Sequence, residues 1–325
     1  VPEAKDGDRR AVNTRDGGAS QSPWRMAAQE FLRSKVGMAG LIIVLLMVLF
    51  SFVGPLLYHT DQINTNILQR NLAPSARFPL GTDTVGYDVL GRLMLAGQSS
   101  LEVGLAAAGI AAGFGTLWGA IAGFVGGWLD AIMMRIVDGF IAIPTILLVL
   151  LLAAIVTPSL GSVMIVLGFV SWLYTARLVR GEVLVIRTHE YIQAAKVSGD
   201  SAIGIVLRHV VRNVVGIVAV QATFAVANAI LLLASLSFLG LGPPPPAVNW
   251  GGMLTTGLNY VFDNYWWQIY PAGICIVLTV VGFNLLGDAA RDALDVRLQR
   301  RSTVGVGLAT SGSEFILVPE EGGSR

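Results

Sequence analysis

Cysteine, histidine, lysine and charge are all scarce in this sequence, whose 325 residues include one Cys, three His and only 13% charged side chains. A single thiol, Cys275, excludes an internal disulfide, and its place in an apolar run makes it a small buried side chain. The histidines, His59, His189 and His209, lack metal-ligand spacing, so no metal site is expected. The only lysines are Lys5, Lys35 and Lys196, and no G-x4-G-K-S/T loop is present, so the chain cannot itself bind and split ATP by P-loop chemistry. No serine-histidine-acid or cysteine-histidine constellation stands out, and no catalytic residue is expected. A net charge of +1 gives no footprint for nucleic acid.

What is abundant is apolar. Hydrophobic residues make up 54% of the chain, there are 38 glycines, and the mean hydropathy is +0.67. Several runs exceed the roughly 18 apolar residues that suggest a bilayer-spanning helix. The pattern predicts an all-α polytopic membrane protein with six spans near 38–58, 97–126, 133–156, 160–178, 214–238 and 268–287. Residues 1–22 and 301–325 read as disordered tails flanking a membrane domain over 23–300. No signal peptide is expected, and Trp24 to Lys35 reads as an amphipathic entry helix with Phe31 and Leu32 towards lipid. Arg and Lys concentrate on the side holding Arg25, Arg135, Arg177 and Arg297, which places both termini and the central polar island in the cytoplasm.

That island, about 177–213, centres on Glu190, Tyr191, Ile192, Gln193, Ala194, Ala195, Lys196 and Val197. These residues predict a short helix that Gly199 stops. The small Ala194 and Ala195 allow close approach to a partner surface, while Tyr191 and Ile192 are the expected anchors in a pocket there. Ahead of the second span, Pro79, Gly81 and Gly86 predict a tight fold in which Asp83 and Asp88 cap turns or pair with Arg92, without the spacing of a calcium loop. Gly115, Gly119, Gly123 and Gly127 recur every four residues and predict close helix packing. Glu102 reads as an interfacial carboxylate or as part of a translocation path. Arg135 and Asp138 are placed to pair on one helix face, and Pro144 is expected to kink that helix as a candidate gating hinge. Pro243 to Pro246 predict a stiff polyproline ledge, with Trp250, Trp266 and Trp267 in an interfacial belt.

Five stretches carry a resemblance. The alanine pair with glycine four residues on resembles the EAA loop of permease subunits in ATP-binding-cassette importers, with Gln193 where the family usually has Glu and Arg212 where it often has Pro. Leu80 to Arg92, the Asp130-Arg135-Asp138-Pro144 spacing, Ser237 to Gly252, and Phe283 to Leu298 resemble the dipeptide and oligopeptide branch, with departures at Tyr87, Gly91, Ala290 and Val296. The chain is similar to the C-type permease subunit of such an importer, with the type I permease fold. The resemblance implies Glu190 to Ala195 and Gly199 as the ATPase-coupling segment. It also implies a homologous permease partner, two ATPase subunits that hold ATP and Mg, and an extracytoplasmic peptide-binding protein in an inner membrane. Two other readings stay open: a nickel importer of the same branch, or an autonomous membrane channel or scaffold.

Overall fold

The computed structural model describes residues 23–310. Its helices are α1 (Pro23–Arg33), α2 (Lys35–Phe52), α3 (Gly54–Leu57), α4 (Val89–Val125), α5 (Gly127–Ile141), α6 (Thr145–Ile155), α7 (Leu160–Ile186), α8 (Glu190–Val197), α9 (Ala202–Ile205), α10 (Val211–Phe238), α11 (Trp250–Leu258) and α12 (Tyr270–Thr310). A π-helical turn over Val206–Val210 joins α9 to α10. The expected tails fall outside the described residues, apart from the part of 301–325 that α12 takes in up to Thr310.

Five segments are long and apolar enough to cross a membrane, and α5 with α6 makes a sixth if counted as one bent span. The expected number of spans is therefore met, but not their shape. The second begins earlier than expected, at Val89, because the Asp88 carboxylate caps it by accepting from the Gly91 N–H at 2.8 Å. The third is not a kinked helix: α5 ends at Ile141 and α6 starts at Thr145, turned by 91°. Pro144 has no N–H to give and biases Ile143 out of helical geometry, so the helix stops and restarts.

The long helix α4 is the centre, supplying side chains to all three buried clusters. One cluster joins it to α5, α6, α7 and α10, a second to α2, α10, α11 and α12, and a third to the end of the bundle that carries α8. The glycine ladder explains how α4 and α7 touch. A Cβ on Gly119 would lie 2.3 Å from the Ala176 carbonyl oxygen, and one on Gly115 or Gly123 would lie 2.7 Å from Thr175 Cβ or 3.0 Å from the Arg180 carbonyl oxygen. Gly127 does not belong to the ladder: with Gly126 it takes positive φ and turns the chain from α4 into α5. Cys275 is buried in the second cluster, as its apolar run predicts.

At the end opposite α8, residues 58–92 fold into a cap. Asp83 accepts from the Val85 and Tyr87 N–H groups and pairs with Arg92 at 3.6 Å, and Arg92 also lies over the Tyr87 ring. Both roles expected of the two acids are present. Two other expectations fail here. Trp250 and Trp267 are not in a belt: both are buried, their indole N–H groups donating to the carbonyls of Leu93 and Thr82. Of the three tryptophans only Trp266 is exposed. The proline run is not an unbroken rod either, since the Ala247 N–H closes a turn onto the Pro244 carbonyl. In the entry helix Leu32 is exposed, but the Phe31 ring packs beside Gly37.

Candidate functional site

The polar island resolves into a short helix slung between the ends of two long ones. Helix α7 runs on to Ile186, beyond the expected span limit at 178, and α10 begins at Val211, so Arg177, Arg180 and Arg212 belong to long helices rather than to a loop. Between them α8 starts at Glu190, which suits the positive end of the helix, and Lys196 lies in its last turn. Gly199, at φ +82°, ends the segment as expected.

One residue pins α8 to the body. Ile192 is fully buried among Phe124, Val183, Ile186 and Val210, so it anchors the helix to its own chain and not to a partner, which corrects the sequence reading. Its period places it opposite Ala194 and one turn from Ala195, which is half-buried on the same inner side. Gln193 donates through Nε2 to the Arg187 carbonyl at 2.8 Å, a local hydrogen bond within the segment. Tyr191 is half-exposed and accepts from Asn213 Nδ2 at 3.0 Å, between His189 and His209. The stripe that faces away from the body is Glu190, Ala194 and Val197, spaced four and three apart. Val197 is 90% exposed and is the apolar knob of that stripe, a residue the sequence reading passed over.

The same two long helices wall a groove of about 900 Å³. Its polar lining comes from Thr145 on α6, Ser171, Tyr174 and Arg177 on α7, and Gln221 and Asn228 on α10, with Phe224 and Leu231 among its apolar wall. At about 1.5 Å per residue, these α7 and α10 groups lie about 14–26 Å in from the α8 end of their helices. The hollows beside Leu254 and Phe50 are lined almost wholly by apolar side chains, as lipid-facing surfaces are. Glu102 is exposed on α4 and is not part of the groove lining. Gln221 and Asn228 were legible in principle, as two amides seven residues apart in a largely apolar span.

The acids expected near Arg135 meet other partners. Asp138 pairs with Arg177 and Asp130 with Arg180, both across to α7. Arg135 and Asp138 share a face of α5, but the carboxylate turns to the neighbouring helix. The Asp130 pair is bidentate, Arg180 Nε and Nη2 donating at 2.6 and 2.7 Å, and its carboxylate is buried. Pro144 sits between the two helices of the bent pair, and the next residue, Thr145, lines the groove.

Residues 115–300 match the family model of the binding-protein-dependent transport system inner membrane component, and residues 22–74 match the N-terminal transmembrane domain of oligopeptide transport permease C. The oligopeptide transport system permease protein OppC of Bacillus subtilis is 38% identical over 281 residues, which is 86% of this chain and 92% of that protein. The dipeptide transport system permease protein DppC of the same organism is 37% identical over 86% of this chain and 87% of its own length. The probable D,D-dipeptide transport system permease protein DdpC of Escherichia coli is 41% identical over 78% of this chain and 85% of its own. With its helices and its matched length, the chain belongs to the inner-membrane permease subunits of ATP-binding-cassette peptide importers, in the C-type branch and with the type I permease fold.

Proposed function

We propose that this chain forms, with a homologous permease subunit, the path by which di- and oligopeptides cross the inner membrane, and that α8 is where an ATPase subunit pushes on it. The observation that carries this reading is mechanical: the two long helices at either end of the segment that holds α8 are the same two that wall the polar groove. Displacement of α8 therefore reaches the groove directly through α7, and through α9 and the π-helical turn into α10. Glu190, Ala194 and Val197 form the docking stripe, small enough at Ala194 for close approach, with Val197 as its knob. Tyr191, Gln193 and Ala195 hold the helix in place, Gly199 ends it, and Ile192 transmits its motion into the third cluster.

ATP and Mg belong to the two ATPase partners, since the sequence has no phosphate loop of its own. Both termini and α8 face the cytoplasm, because the basic residues gather at that end. The capped end then meets the peptide-binding protein, beside a hollow of about 340 Å³ between the Asp83 to Arg92 turn and the proline run. Transport proceeds by rocking of the two permease halves, with the break at Pro144 as a hinge beside the groove. The peptides named for the three relatives favour peptide over nickel as cargo.

The test is retention of the ATPase subunits when the tagged chain is extracted gently with its partners. Ala194→Glu and Val197→Glu are expected to lower ATPase retention about tenfold or more, the effect of losing roughly 1.4 kcal/mol at the interface, while the second permease subunit stays bound. Unchanged retention in both variants contradicts this role for α8.

A further inference from the structure

Two ion pairs join α5 to α7, and they differ in kind. Asp130 spends both carboxylate oxygens on Arg180 and is buried, as a structural stitch would be. Asp138 meets Arg177 through a single contact, Nη2 to Oδ1, and the two side chains are 51% and 52% exposed. Among the described residues the Arg177 Nε and Nη1 hydrogens have no acceptor, so most of a planar five-donor fork remains open. Arg177 is also the one charged residue lining the groove.

The surroundings fit one class of ligand. Asn228 is exposed, and neither it nor Gln221 makes a side-chain hydrogen bond among the described residues, so each offers a donor and an acceptor to the groove. Tyr174 adds a hydroxyl, in contact with Thr145 Oγ1 at 3.3 Å. Amides that match a peptide's own N–H and C=O groups, beside one guanidinium, suit a short peptide with a carboxylate.

Resting on the reading of this groove as half of the translocation path, we propose that Arg177 is the carboxylate-recognition residue of the permease. It keeps one N–H on Asp138 and presents its open edge to a carboxylate of the passing peptide, while Asn228 and Gln221 take main-chain amide groups. Asp138 has a second role in this arrangement. It neutralises Arg177 when the groove is empty, and its negative charge opposes the incoming carboxylate, which keeps the contact weak enough for the peptide to leave.

The experiment uses the whole transporter in proteoliposomes: this chain, its second permease subunit, the ATPases and the binding protein. ATP-driven uptake is measured for a tripeptide with a free C-terminal carboxylate and for its C-terminal amide, each at a concentration giving equal occupancy of the binding protein. Arg177→Gln is expected to lower the ratio of acid to amide uptake about tenfold, the scale of one charge-assisted hydrogen bond. Arg177→Lys, which keeps the charge but loses the planar fork, is expected to leave a ratio between those of the wild type and Arg177→Gln. Asp138→Asn lowers the KM for the acid and its maximal rate together, and leaves the amide's KM in place. An equal loss of acid and amide uptake in Arg177→Gln overturns the assignment and leaves Arg177 as a stitch between α5 and α7. If Arg177→Gln fails to assemble, the Lys and Asp138→Asn variants decide, and equal KM shifts for the two peptides overturn it. Absence of ATP-driven uptake of either peptide by the wild-type transporter defeats the reading of the groove itself, a distinct outcome.

Discussion

At the capped end of the bundle, every polar group of Thr82 is engaged: its hydroxyl donates to the Gln69 carbonyl and accepts from the Leu72 N–H, its own N–H donates to the Leu72 carbonyl, and its carbonyl takes both Trp267 Nε1 and Gln268 Nε2. At the other end, α8 is held by one buried isoleucine, two side-chain hydrogen bonds and the Lys196 ammonium over the Phe124 ring. The cap joins segments nearly two hundred residues apart, whereas α8 is tied mainly to its own neighbours in sequence. A segment with few buried contacts opens and shifts at low cost, and one tied from several sides moves with the body. The difference matches a permease that presents a firm surface at one end and takes up motion at the other.

The sharpest way to break this comparison is at Ile192. Replacement by Ala removes the only fully buried side chain of α8 and costs about 2–4 kcal/mol of local anchoring. ATP-driven uptake is expected to fall about tenfold or more, while the thermal midpoint of the permease moves little, because the loss is confined to a segment that opens locally. A large fall in the midpoint measured by thermal unfolding would place α8 in the rigid body. At the cap the opposite balance is expected. Thr82→Val leaves the Leu72 N–H and the Gln69 carbonyl without partners and costs about 1–3 kcal/mol of overall stability. Uptake per assembled transporter should be close to that of the wild type at a temperature where the variant is folded.

The smallest effect concerns pH. Tyr58 donates to Asp88 Oδ2 at 2.9 Å, and its phenol is pushed up to about 12 by burial, then by that hydrogen bond and the carboxylate's charge. Because the folded value lies above the ordinary value of about 10, the neutral phenol is favoured in the folded state; its contribution is complete below pH about 10 and is lost as pH rises from there to about 12. Thermal stability of the wild type compared with Tyr58→Phe should therefore show an advantage that erodes over that window. A difference that is flat through it would mean that the Asp88 contact does not hold the proton.

Local chemistry made the cap readable before the fold was known. Asp83, Asp88, Gly81 and Gly86 act on residues within a few positions of themselves, so turn and cap rules reach them. The glycine ladder was legible for a similar reason, since its spacing is a property of one helix. What the sequence could not supply was direction across the bundle. Asp138 had Arg135 one turn away and Arg177 far along the chain, and only the placement of α7 decides between them. Ile192 and Val197 are both apolar residues of one short helix, yet one is buried and the other is 90% exposed, because the body of the same chain covers a single face. Trp250 followed the same logic: a tryptophan in a segment between two predicted spans suits an interface, but Leu93 offers its indole a carbonyl inside.

The central claim is that α8 is the movable, partner-covered element and the cap is not. Hydrogen-deuterium exchange on the assembled permease pair, with and without the ATPase subunits, tests it most directly. The expected result is fast exchange over residues 190–199 in the permease pair alone, strong protection there once the ATPases are added, and slow exchange at Leu72, Thr82 and Asp83 in both states. Residues 190–199 that are protected from the start, or that exchange equally with and without the ATPases, would contradict the account.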